Sequence, residues 1–107
     1  MAPSIRLVLT NCPDADTAER LARRLVEQRL AACVNLLSPC RSLYEWDGKV
    51  CDEQEFPLLI KTTTERYAAL EAEIRELHPY EVPEIVAVDL ADGSAPYLQW
   101  VMTQASV

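Results

Sequence analysis

Glycine is scarce: Gly48 and Gly93 are the only two in 107 residues. Tight turns must therefore be built from Asp, Asn and Pro. No stretch approaches the roughly 20 apolar residues that a membrane-spanning helix needs. The cysteines Cys12, Cys33, Cys40 and Cys51 form no CxxC pair, which removes the zinc-ribbon and thioredoxin signatures. Their default expectation is as small buried hydrophobes or incidental thiols. Basic charge is also short. Ten Lys and Arg stand against 17 Asp and Glu, for a formal net charge of −7. Such a chain is a poor partner for nucleic acid, whose phosphates are neutralised by Lys and Arg, and for an anionic membrane surface. With one histidine, no GxSxG, no Gly-rich phosphate loop and no paired catalytic cysteine, the sequence offers no reaction mechanism, and the expectation is a protein that is not an enzyme.

What is present is an ordinary globular mixture, half hydrophobic and one quarter charged. Its length suits one domain, 1–107, removing roughly two-thirds of the unfolded surface from water. The opening "MAPSIRLVLT" reads as a first strand with no export signal, which makes the cytoplasm, with reduced thiols, the expected compartment.

Along the chain, residues 5–10 read as a strand. Asp14 or Asp16 then caps a helix whose apolar stripe is Ala18, Leu21, Ala22, Leu25 and Val26. "AACVNLL", 31–37, is a second strand. "SLYEWDGKVCDE" is a hairpin in which Asp47-Gly48 supplies the positive-φ positions of a type I′ turn, so that Trp46 faces Lys49 and Tyr44 faces Cys51. "FPLLIKTTT", 56–64, is the next strand, with Pro57 near its start. A second helix follows, capped by Thr63 or Thr64, with Tyr67, Leu70, Ile74 and Leu77 as its seam, and it ends at Pro79. "EIVAVDL", 84–90, is the last strand, and 94–104 a terminal helix. This order predicts an α+β fold: a ferredoxin-like βαββαβ sandwich with an extended β-hairpin and an extra C-terminal helix. Right-handed crossovers place both crossover helices on one sheet face. Yet 84–90 is apolar on both alternating sides, and the other central strands behave likewise. A second apolar face predicts coverage by another copy of the chain, a homo-oligomer.

The strings "AACVN" (31–35), "YEWDGKV" (44–50), "LLIKTTTE" (58–65) and "ELHPYEVPEI" (76–85), in this order and spacing, resemble the CutA family of divalent-cation tolerance proteins. The resemblance runs from the first strand to "YLQW" (97–100). It implies a ferredoxin-like subunit, a tight homotrimer like that of the PII signalling proteins, and a connection to copper or another divalent cation.

The chemistry centres on "ELHPYEVPEI". Pro79 and Pro83 stiffen a segment that presents His78, Tyr80 and Glu81. The resemblance makes His78 a copper-ligand candidate, with Cys33 as a family-type thiol. Thr10 and Leu77 stand where other members carry the remaining two ligands, and Cys12 lies two residues past Thr10 as a stand-in. The alternative is a small-molecule cleft at a subunit boundary formed by Asn35, Tyr44, Trp46, Lys61, Glu65, Tyr80 and Glu81. Aromatic walls with a few polar groups are the usual make-up of such sites. Lys61, a charge in an apolar run, is expected to pair with Glu81 or Glu65. Three functions follow: a copper or divalent-cation tolerance protein, a PII-like sensor of a small anionic ligand, and a trimeric scaffold for another protein.

Overall fold

A computed structural model describes residues 4–107. Residues 1–3, the start of the stretch expected to carry no export signal, lie outside the described residues. The elements are β1 (Ile5–Cys12), α1 (Ala15–Glu27), β2 (Cys33–Leu36), β3 (Cys40–Trp46), β4 (Lys49–Thr63), α2 (Thr64–Leu77), β5 (Ile85–Asp89) and α3 (Ala95–Gln104). The sheet order is β2-β4-β1-β5, all antiparallel, with β3 paired to the free half of β4 as a hairpin. This is the expected ferredoxin-like arrangement with its long hairpin and added helix.

Local chemistry explains the element ends. Asp14 caps α1, its carboxylate accepting from the Thr17 N–H at 2.7 Å. Thr63 caps α2 by accepting from the Arg66 N–H at 3.1 Å. α1 ends in a left-handed residue, the place usually held by glycine, but here by Arg29 at φ 57°. Its guanidinium donates to the Thr103 carbonyl at 2.7 Å and the Ser106 carbonyl at 3.1 Å, so the unfavourable backbone brings a tie to the C-terminus.

α1 and α2 lie on one sheet face. Val8, Leu58 and Ile60 from the sheet close against Leu21, Leu25, Leu70 and Ile74 from the helices. Each such side chain contributes roughly 1.5–3 kcal/mol on burial. Two stripe residues depart from expectation. Val26 and Leu77 are exposed, because each sits past the edge of the helix–sheet contact.

The strands differ from expectation in extent. β2 begins only at Cys33, Ala31 and Ala32 being buried in the connection. The hairpin's second arm and the strand at 56–64 are one continuous strand, β4, which runs through Pro57. The Pro57 carbonyl accepts from the Leu37 N–H at 3.0 Å. Its missing N–H points to that same side, so the Leu37–Pro57 pair keeps one bond of two, at the place where β2 has ended and β3 has not yet begun to pair.

Among the described residues the second sheet face is covered only at one end, where α3 packs Leu98 and Val101 onto Ile5. Across the rest, Leu9, Val86 and Val88 are 37%, 48% and 58% exposed.

Candidate functional site

β4 gives the site its geometry. The register Trp46–Lys49, Tyr44–Cys51, Ser42–Glu53 and Cys40–Glu55 sets all eight residues on one face of the ribbon. Tyr44 and Trp46 thus share a side with Glu55, which lies at the hairpin base. The turn after α2 comes up against this face. Together they enclose a cleft of about 410 Å³. The hairpin supplies Tyr44, Trp46 and Glu55, the turn supplies Tyr80, Glu81, Val82 and Glu84, and β1 supplies Asn11.

His78 anchors the turn. It caps α2, its N–H donating to the Ile74 carbonyl at 2.8 Å, and Pro79 directs its backbone out of the helix. The imidazole is 7% exposed. Nδ1 accepts the Tyr80 N–H at 3.1 Å. That bond assigns the ring proton to Nε2, which donates to the Asn11 carbonyl at 2.6 Å. Both nitrogens are therefore engaged in a neutral ring that ties the turn to β1. The Tyr80 ring packs on the imidazole, with centroids 4.8 Å apart.

Tyr80 then reaches the hairpin, its hydroxyl donating to Glu55 Oε2 at 3.4 Å. Burial and the Glu55 charge push its phenol up to about 12. Burial, followed by the nearby Cys51, Glu53 and Glu55, also raises the Tyr44 phenol. Both rings stay neutral at ordinary pH. Glu55 is 7% exposed, and among the described residues no Lys or Arg forms an ion pair with it. Glu84 accepts from Asn11 Nδ2 at 3.2 Å.

Of the residues expected in the cleft, Tyr44, Trp46, Tyr80 and Glu81 meet there, and His78 stands directly behind. Asn35, Lys61 and Glu65 do not join them. Lys61 donates to Asn35 Oδ1, not to Glu81 or Glu65. The register Cys33–Lys61 and Leu7–Lys61 puts this pair on the open sheet face. Glu65 lies exposed in the first turn of α2, at the far end of that helix from His78. Asn11, Glu55 and Glu84 complete the cleft without having been singled out. Glu55 was traceable: unbroken alternation from Tyr44 and Trp46 through Cys51 and Glu53 leads to it.

A copper ion held jointly by Cys12, Cys33 and His78 does not fit this fold. Cys12 points into the helix-side core beside Val8 and Leu58, whereas Cys33 lies on the opposite face. Burial, then the Asp14 and Glu55 charges, push the Cys12 thiol up to about 11, away from the thiolate a soft metal binds. Both nitrogens of His78 already have partners. Thr10, next to Asn11 on β1, has a buried hydroxyl without a hydrogen-bond partner among the described residues. A neutral hydroxyl is a weak substitute for a thiolate.

The sequence model of the CutA1 divalent ion tolerance proteins matches residues 6–104. The divalent-cation tolerance protein CutA of Thermus thermophilus is 46% identical over 95 residues, covering 89% of this chain and 92% of that protein. Human Protein CutA is 44% identical over 98 residues, covering 92% of this chain. The chain spans only 55% of that human relative's length. The crystal structure of CutA1 from the psychrotrophic bacterium Shewanella sp. SIB1 aligns with a TM-score of 0.95 and 43% identity over 100% of both chains.

Proposed function

The chain belongs to the CutA1 divalent ion tolerance family, and on that premise we propose that it serves cation tolerance as a homotrimer binding a cationic ligand in the hairpin cleft. The carrying observation is the character of that cleft. Glu55, Glu81 and Glu84 bring three carboxylates to a concavity walled by Tyr44, Trp46 and Tyr80. Carboxylates gathered beside low-dielectric walls focus a negative potential and concentrate cations. Its role is binding, not catalysis. The exposed Leu9, Val86 and Val88 on the open sheet face support the trimer. Copper association is weak and indirect, because Cys12, Cys33 and His78 do not form one donor set. Four free thiols accord with a reducing, cytoplasmic setting.

A second reading, the PII-like sensor of a small anionic ligand, rests on Lys61. This half-buried ammonium lies on the open face, where subunits of a trimer would meet. The scaffold reading adds a protein partner, which would co-purify with the trimer.

The test is calorimetric titration of the reduced protein with Cu(I) and Cu(II), beside His78→Ala, with mass measured by light scattering and folding checked by circular dichroism. Weak binding, equal in both proteins, and a mass of three chains are expected. One ion per chain, lost in His78→Ala, would make the imidazole a direct ligand. The mass of one chain would remove the trimer.

A further inference from the structure

The cleft's dimensions say more about its cation than its charge does. A bare divalent ion needs about six or more oxygens at roughly 2.0–2.6 Å. The three cleft carboxylates share the concavity without converging on one point: among the described residues no three His, Cys, Asp or Glu side chains are placed to hold a single metal ion. The space of about 410 Å³ suits a small organic molecule, for which clefts run from roughly 300 to 1,000 Å³. Much of its wall is aromatic and offers no metal ligand.

Glu55 is the second observation. A buried carboxylate needs a counter-charge or several hydrogen bonds. Glu55 is more than nine-tenths buried, yet its one hydrogen bond among the described residues is the 3.4 Å contact from Tyr80. It faces a space walled by neutral π-systems, and Trp and Tyr faces attract organic cations. Resting on the cation-binding assignment above, we propose that the cleft binds an organic ammonium. Its charged head would lie against Glu55 and its hydrocarbon substituents against Tyr44, Trp46 and Tyr80. Glu81 and Glu84, exposed at the rim, draw the cation in.

Tetramethylammonium chloride is the probe, with potassium chloride at equal ionic strength as control. The full chain is used in a Trp100→Phe background, so that emission reports Trp46 alone; Trp100 lies on α3, outside the cleft. A saturable emission change is expected, with calorimetry giving one cation per chain. Glu55→Gln is expected to bind about tenfold more weakly, having lost a charged partner. Tyr44→Leu, on the exposed hairpin, is expected to bind about fivefold more weakly, having lost a π face. Should Glu55→Gln fail to fold, Tyr44→Leu decides. A response no different from potassium, or one that Tyr44→Leu and a folded Glu55→Gln both leave intact, overturns the proposal. Saturable binding of magnesium or copper chloride through the same residues, with none of tetramethylammonium, overturns the organic ligand and leaves a cation cleft. Silence to all of these salts overturns both.

Discussion

Cys12 shows how one side chain can carry a pH dependence. Its thiol is held up to about 11, against an ordinary 9.0, first by burial and then by Asp14 and Glu55. Unfolding releases the thiol to ionise near its ordinary value. Between about pH 9 and 11 the folded state keeps a proton that the unfolded state has lost. The Cys12 contribution to stability is thus complete below pH 9 and declines as pH rises toward 11. Urea unfolding of the native chain and of Cys12→Ala is expected to show a gap that narrows across this window. A constant gap would mean that folding leaves the thiol's acidity unchanged. At this scale the sequence was informative where a string was stiff. Two prolines around His78 and Tyr80 indicated a turn that presents fixed side chains. The partners of those side chains were not legible, since Asn11 and Glu55 lie 67 and 25 positions away and meet the turn only through sheet pairing.

The hairpin depends on the one glycine whose conformation demands it. Asp47 and Gly48 have φ of 53° and 77°, the paired positive angles of the turn. A Cβ at Gly48 would meet no atom within 4 Å, so any penalty for adding one comes from the backbone alone. Gly48→Ala is expected to cost about 1–2 kcal/mol and to lower the thermal midpoint without disturbing the core; an unchanged midpoint would show that the turn relaxes freely. Asp47-Gly48 made this element visible in the sequence, as apolar spacing did for α1 and α2. Pro57 concealed the continuity of β4, because a proline there resembles a strand start. What reconciles it with a central strand is a handover between two neighbours, β2 and β3, and that is a property of the assembled sheet.

For the whole molecule the open sheet face is decisive. Val86 stands opposite Leu9 near the middle of that face, away from the cover given by α3. A charge there would be buried unpaired if three copies close over it. Val86→Lys is expected to reduce the light-scattering mass from three chains to one while leaving the far-ultraviolet circular dichroism intact. A variant that keeps its full mass would place the subunit contact elsewhere. The doubly apolar β5 made this face visible in the sequence. The partial cover from α3 was not, since a terminal helix can dock in several places with the same apolar residues.

The single passage of β4 from hairpin to core has a mechanical consequence. Its outer half is one arm of the ribbon, while its inner half is locked between β1 and β2 and ends at the cap of α2. The ribbon is thus a cantilever continuous with a core strand, in a molecule that measures 46 by 26 by 23 Å with the ribbon included. A load at Trp46 bends a continuous beam whose clamped end starts a helix, and that helix ends at His78. Cleft and core therefore deflect as one piece, and a ring of such pieces would share among its members any strain set up at one tip.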